Sequence, residues 1–314
     1  MRILVTGGTG YLGGRLVQYL EKQNVHEVIA GTRQPNGKDL LHNAFKIVQT
    51  IWDSPEKLQQ VCTNIDVIIH MAAMNADDCA ADPIAALEFN AGVTRKLLNA
   101  ALKKGVRRFI YFSTAHIYQS PLEGEITEKT IPTSKHPYAT SHLAAEEIVR
   151  AENKHGNIEG LIIRLSNSFG APISKEANCW KLLVNDLCKQ AVANGTMVIK
   201  SSGIQRRDFI TITDVCRATE HLIQIQVVDK DKNIFNVGGN WSPTVYELAI
   251  LIKQRCKLVL GFDPILTRIR PTLDEKTKEL NYRIDRLIQS GFTLKSNREE
   301  EIDKLLVFCN STFS

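Results

Sequence analysis

The sequence predicts an α/β fold: a doubly wound parallel sheet with a smaller lobe towards the C-terminus. Three observations carry this. Short apolar runs alternate with amphipathic stretches through the first two-thirds of the chain, and the runs do not themselves alternate apolar with polar residues, the mark of strands covered on both faces. A glycine-rich turn joins the first strand directly to the first helix. From about Ala171 the pattern becomes helical and the loops lengthen.

In order, "RILVTG" reads as a buried strand, "YLGGRLVQYLEKQ" as a helix and "HEVIAGTR" as a second strand. "AFKIVQ" and "DVIIHMAA" continue the strands, with the helix "SPEKLQQVC" between them. The long helix "AALEFNAGVTRKLLNAALKKG" is closed by Gly105; "RRFIYFST", "PYATSHLAAEEIVRAENKHG" and "GLIIRLS" follow as strand, helix and strand. "FNVGG" around Val237 reads as a strand returning to the sheet, while "NCWKLLVNDLCKQAVANG" and "TVYELAILIKQRC" read as helices. These assignments divide the chain into a first domain, 1–170 with 204–240 returning to it, and a smaller lobe, 171–203 with 241–314, at the carboxyl edge of the sheet, where such folds bind ligands.

Composition excludes several classes. The 314 residues are 43% hydrophobic and 23% charged, with a formal charge of +5, ordinary for a globular protein. No dense Lys/Arg block with interleaved aromatics occurs, so no nucleic-acid partner is expected. Seven cysteines are dispersed without C-x-x-C pairs or adjacent His ligands, which predicts reduced thiols, no structural zinc and a cytoplasmic location. No leader pattern precedes "MRILVTGG" and no long apolar span occurs, so no membrane partner is expected.

"VTGGTGYLGGRL" sets Gly7, Gly10 and Gly13 between strand and helix. Glycines there allow a tight turn and a close approach to a pyrophosphate, and the helix start at Tyr11 and Leu12 offers unpaired N–H groups and a favourable dipole. The pattern predicts a Rossmann-type dinucleotide site, which makes 1–170 the dinucleotide-binding domain and the C-terminal lobe the substrate-binding one; a merely structural turn is the alternative. At the end of the second strand a carboxylate would bond the adenosine ribose of NAD. The chain has Thr32 and Arg33 instead, and Arg33 suits the 2′-phosphate of NADP; an exposed surface arginine is the alternative.

Taken in order, the motifs resemble the extended short-chain dehydrogenase/reductase family, the NAD-dependent epimerase/dehydratase group. "TGGTGYLG" resembles its phosphate loop, "HMAA" its strand end, and Asn90 in "EFNAGVTRKLL" its helix asparagine. "FSTAHIY" resembles the strand ending in a catalytic Ser/Thr, "YATSH" the Y-x-x-x-K helix, and "RLSNSFG" the segment before the substrate lobe. "RRDFITITDV" and "FNVGG…TVYELA" are similar to later segments, so the likeness spans roughly residues 1 to 300. It implies an enzyme acting on a nucleotide-activated sugar by hydride transfer with NADP, or alternatively NAD. Thr114 would polarise the reacting carbonyl or alcohol and Tyr138 would be the general acid/base, with His142 beside it. Met71, Ala72, Ala73, Asn90, Tyr138 and His142 would line the cofactor. Asn75, His116, Asn167, Arg207 and Arg270 would contact the substrate, the last three at its pyrophosphate. The resemblance also implies a homodimer through the helices that contain Asn90 and Tyr138.

Other readings of some of these residues stand beside this one. Thr114 as a plain strand-end residue, Arg207–Asp208 as a local ion pair and His116 as a packing residue are the alternatives.

The sequence departs from the family pattern at three places. His142 stands where a lysine would lower the phenol pKa of Tyr138. Bringing a tyrosine from about 10 to near neutrality takes roughly 4 kcal/mol, and a histidine, mostly neutral at pH 7, lacks the fixed charge to supply it. Reduction, in which tyrosine donates its proton, suffers less than alcohol oxidation. Ala115 and His116 stand where the family's dehydratases carry Asp-Glu, which disfavours a 4,6-dehydratase. The segment "VQTIWDSPEKL" lacks the usual acid against the adenine, Asp53 coming too late. The expected function is therefore reduction of a keto-sugar, then epimerisation; the alternative is a catalytically silent, dinucleotide-binding regulatory or scaffold subunit of the same fold.

Overall fold

Seven parallel strands form one sheet in the computed structural model, which describes residues 1–34, 45–226 and 229–314. They are β1 (Arg2–Thr6), β2 (Glu27–Thr32), β3 (Lys46–Gln49), β4 (Val67–His70), β5 (Arg108–Thr114), β6 (Glu159–Leu165) and β7 (Ile234–Val237). Their order is β7-β6-β5-β4-β1-β2-β3. Ala44, the first residue of the expected third strand, lies outside the described residues, as do residues 227–228 of the expected returning segment.

All seven residues of β5 are buried, as a strand covered on both faces requires. Strand order reverses between β1 and β4, where Thr6 pairs with His70. The crevice at the carboxyl ends of strands at such a reversal is where open α/β sheets bind ligands.

Two helices position the candidate site. Tyr11–Gln23 buries Leu16, Val17 and Leu20 and ends at Asn24 in the left-handed region, φ 53°. Pro137–His155 begins with proline at its first position, where no N–H is needed, and ends at Gly156, φ 79°. Its buried face includes Ala139, His142, Ala145, Glu146 and Val149, the three- and four-residue spacing of one helical stripe.

The expected helix through Asn90 is divided. Pro83–Leu87 is α-helical, Glu88–Val93 is a π-helical turn, and Thr94–Lys103 resumes the α-helix. Thr94 Oγ1 bonds back to the Asn90 carbonyl at 2.5 Å, competing with the regular ladder at this point.

Two contact units divide the chain. The first comprises Met1–Ser120, Ile131–Leu165 and Thr219–Phe235, and the second Pro121–Thr130, Ser166–Ala218 and Asn236–Ser314. Of the segment expected to return to the first domain, 219–235 joins the first unit and 204–218 and 236–240 the second. The second unit packs the helices Leu183–Asn194, Val245–Leu260 and Arg298–Phe313 around Phe169, Leu187, Leu248 and Leu305.

The helix expected over 178–195 starts only at Leu183. Leu182 is extended (φ −72°, ψ 132°), and the N–H groups of Cys179 and Leu182 close turns instead. Three short parallel pairs were not anticipated: Asn167–Phe169 with Phe209–Thr211, Thr196–Ile199 with Ile265–Arg268, and Gly124–Ile126 with Leu280–Tyr282. Runs of three or four residues carry too few alternations to register as strands.

All seven cysteines are buried and none is in a disulfide. Among the described residues no group of side chains is arranged to hold a metal, and no helix is long and apolar enough to cross a membrane.

Candidate active site

The glycine turn after β1 is shaped by close approach. Gly7 has φ 68°, and a Cβ there would lie 3.1 Å from Ala72 N. A Cβ at Gly13 would lie 2.1 Å from Gly7 O, so the helix start can rest on the turn only without a side chain. Gly10 is the N-cap of the helix that begins at Tyr11, with no side chain capping it, and the first turn of a helix directs its backbone N–H groups out of its N-terminal end. The turn fits a pyrophosphate, an anion that such N–H groups and the helix dipole bind.

Behind the turn runs a buried chain of hydrogen bonds whose protons can be assigned. Thr6 Oγ1 accepts from Met71 N (3.3 Å) and Ala72 N (3.4 Å), so its own proton goes to His70 Nδ1, 2.6 Å away. Thr94 donates to Asn90 O, so it accepts from His70 Nε2 at 3.1 Å. His70 is therefore neutral, and burial pushes its pKa down to about 3. This network fixes the backbone of Met71 and Ala72 against the glycine turn.

Asn90, expected among the cofactor contacts, also makes bonds inside the protein. Its Oδ1 accepts from Met74 N at 2.9 Å, and its Nδ2 donates to Ser141 Oγ at 2.9 Å and to Cys79 Sγ at 3.7 Å. At 1% exposure it ties the segment after β4 to the Tyr138 helix. Asn75, expected to touch substrate, caps the helix Ala76–Ala81, with both ends of its amide bonded to Asp78. Asn75 is exposed, so part of its amide still faces solvent, and each Oδ1 keeps a second lone pair.

Thr114 and Tyr138 are brought together. Thr114 closes β5, and its Oγ1 accepts from His116 N at 3.2 Å, in a short 3-10 turn, Ala115–Ile117. Tyr138 is half-buried. Burial pushes the phenol up to about 12, against the opposing pull of its hydrogen bond with Thr114. His142 is buried, and its ring stands edge-on to Tyr138 with centroids 4.6 Å apart. Burial lowers His142 to about 4, so it is uncharged at neutral pH. The pair is thus a protonated phenol beside a neutral imidazole, an arrangement suited to giving a proton rather than taking one. His116 is half-buried beside Thr114.

Arg33 follows β2 on an exposed turn, its guanidinium 5.6 Å from the centre of the Phe89 ring. Thr32 is buried and its Oγ1 accepts from Thr9 Oγ1 at 3.0 Å. Asp53 is turned outward to Lys96, 2.6 Å away. At the end of β3 the buried polar atoms are Thr50 Oγ1 and Trp52 Nε1, neither with a protein partner. A search for an acid overlooks this hydroxyl.

The remaining expected residues lie on the second unit. Asn167 Nδ2 donates to Asp208 O at 2.9 Å. Arg207 is half-buried, with Gln205 Oε1 at 3.4 Å. The neighbouring Asp208 carboxylate accepts from Gly239 N and Trp241 N, so these bonds run to the backbone. Arg270 is exposed, just past the strand Ile265–Arg268. Arg268, not singled out from sequence, packs its guanidinium 3.6 Å from the Tyr246 ring centre and donates to Ser202 O at 2.7 Å.

Comparison with known proteins places this geometry. The chain is 27% identical to dTDP-D-glucose 4,6-dehydratase of Mus musculus, over 99% of this chain and 89% of that one. It is 26% identical to a putative UDP-glucose 4-epimerase of Methanocaldococcus jannaschii, over 80% and 81% of the two chains. Among solved structures, a UDP-glucose 4-epimerase of Thermotoga maritima with UDP-glucose superposes with a TM-score of 0.83 at 22% identity, covering 100% of both chains. UDP-glucuronic acid 4-epimerase of Bacillus cereus, with UDP-glucuronic acid and NAD, superposes at 0.81 with 21% identity over 99% of each. The model of the NAD dependent epimerase/dehydratase family matches residues 3–238, three-quarters of the chain. With its glycine turn, Thr114 and Tyr138 on that same stretch, the chain belongs to the NAD-dependent epimerase/dehydratase family.

Proposed function

We propose that the protein is an NADP-dependent oxidoreductase that reduces a keto group on a nucleotide-activated sugar. The observation that carries this reading is the pairing of Thr114 with a Tyr138 phenol pushed up to about 12, beside an uncharged His142. At neutral pH such a phenol holds its proton, which ketone reduction needs and alcohol oxidation does not. Epimerisation, which requires both directions, comes second. Water elimination is disfavoured because Ala115 and His116 follow Thr114, leaving no carboxylate there.

When bound, the nicotinamide supplies the hydride. Gly7, Gly10, Tyr11, Leu12 and Gly13 would hold the dinucleotide's pyrophosphate, and Met71, Ala72, Ala73 and His142 would line its path. Thr114 orients the sugar carbonyl by hydrogen bonding, and Tyr138 delivers the proton to its oxygen. His116, next to Thr114, contacts the sugar. On the second unit, Asn167, Arg207 and Arg270 are proposed to hold the nucleotide's phosphates, planar guanidinium forks being suited to paired phosphate oxygens. We place the protein in the cytoplasm. A homodimer through the helices of Asn90 and Tyr138 is supported by the exposed Ile84 and Leu87, which begin the first of these segments.

Incubation with NADPH and a panel of nucleotide-linked 4-keto sugars, followed at the reduced nicotinamide band, tests the reading. Oxidation of NADPH by one of them supports it. Tight NADPH binding with no turnover points to the second reading, a silent regulatory or scaffold subunit, which the neutral His142 favours.

The exposed Arg33 sets cofactor choice. Arg33→Ala is expected to weaken NADPH binding by about tenfold or more, the scale of one charge-assisted hydrogen bond, and to leave NADH unchanged. Equal wild-type affinities for the two, measured by fluorescence titration, would remove the claim.

His142→Lys tests the missing charge. A cation beside Tyr138 favours the phenolate, so the phenol's pKa must fall from about 12. The alkaline limb of the pH–rate profile for reduction, where the donor is lost, then moves to lower pH by about one unit or more. The reverse oxidation gains at neutral pH. A profile that stays where it was shows that position 142 does not tune the phenol.

A further inference from the structure

Tyr111 lies on β5, three residues before Thr114, and nothing in the family likeness singles it out. Its hydroxyl is 2.7 Å from Nδ1 of His142, with ring centroids 5.8 Å apart. Both residues are 2% exposed. The other ring nitrogen, Nε2, is buried and has no protein partner.

Two proton arrangements are conceivable, and they differ in what they leave unmet. With the proton on Nδ1, the imidazole donates to Tyr111. The phenolic O–H is then buried without an acceptor, and Nε2 is a bare lone pair in the same interior. With the phenolic O–H donating to Nδ1, a single group is left over, the Nε2–H. Buried polar groups without partners are the costlier state, so the second arrangement is the stable one. The surroundings agree, since burial raises the phenol of Tyr111 and lowers the imidazole of His142, keeping both neutral. His70 nearby is held neutral by its own bonds to Thr6 and Thr94, and Glu146 is engaged by Arg164 at 2.6 Å.

We propose that Tyr111 is a positioning residue: its phenolic proton, donated to Nδ1, locks His142 as the neutral Nε2–H tautomer and presents one fixed N–H donor beside Tyr138 to a ribose hydroxyl oxygen of the bound dinucleotide. This rests on the reading of the site as dinucleotide-binding. A lysine would bring three rotatable donors and a charge. Here one rigid, uncharged donor stands in their place, and its direction is set from the strand below rather than by the helix that carries it.

The test is the two-bond 1H–15N spectrum of the histidine rings in the full chain at pH 7, with His142 assigned from the signal missing in His142→Gln. The proposal expects a proton-bearing Nε2 and a pyridine-like Nδ1 in the wild type, a signature that needs no variant to read. Tyr111→Phe keeps the ring but removes the donor. It is expected to average the tautomers and to weaken NADPH binding about three- to tenfold, the scale of one neutral hydrogen bond. A proton on Nδ1 in the wild type overturns the proposal. So does an unchanged signature in Tyr111→Phe, or a lost signature with unchanged NADPH affinity. If NADPH binds neither protein, the dinucleotide reading itself fails, and the ribose contact with it; the wild-type spectrum still decides whether Tyr111 sets the tautomer.

Discussion

Replacing Tyr138 by phenylalanine is expected to lower turnover by about 10²–10⁴-fold, the scale of a lost general acid, while leaving NADPH affinity near the wild-type value. Phenylalanine keeps the half-buried ring and its edge-on contact with His142, so the change removes the reacting O–H and little else. The effect should fall on kcat rather than KM, because the proton moves in the transition state. Single-turnover oxidation of NADPH with a keto-sugar substrate measures it directly. A variant that keeps more than a tenth of wild-type turnover would show that another group donates the proton. His116, next in line after Thr114, would then take that place.

The site was legible in the sequence wherever a residue's role depends on its spacing along one element. Gly7, Gly10 and Gly13 can be read as a close-approach turn because the strand before them and the helix after them are both patterned, and the structure shows that approach at Gly13. The sheet was legible for the same reason, since its strands are buried on both faces and do not alternate. What escaped the sequence depends on contacts across long separations. The proton chain through Thr6, His70 and Thr94 joins two strands and a helix, and Tyr111 meets His142 across thirty-one positions. The internal partners of Asn90 and Asn75 also escaped the sequence, because an amide's partners cannot be counted before the fold brings them near. His142 was conspicuous as a departure from the family pattern, but its complete burial, which keeps it uncharged, was not visible.

The largest expected effect on stability sits one helical turn beyond His142. Glu146 is 0% exposed and Arg164 4%; their carboxylate and guanidinium meet at 2.6 Å, and Arg164 also donates to Tyr118 Oη at 2.9 Å. The guanidinium lies 4.9 Å from the Tyr118 ring centre. Desolvation alone would weaken the charge on Arg164, but the bonds and charge of Glu146 outweigh it and hold the guanidinium above its ordinary pKa. The pair joins the Tyr138 helix to β6, so it fixes the element that carries both Tyr138 and His142. Glu146→Ala leaves a buried cation without its counterion and is expected to cost about 3–5 kcal/mol. The cost would be read as a fall in the urea midpoint and a loss of amide protection over 137–155. Glu146→Leu with Arg164→Met removes both charges and should recover most of that loss, because a well-packed apolar pair needs no desolvation of ions. If Glu146→Ala alone stays within about 1 kcal/mol of the wild type, the scale of an exposed pair, the link does not hold the helix. The reactive phenol would then owe its position to the bond between Asn90 and Ser141 and to the packing of Ala139, Ala145 and Val149.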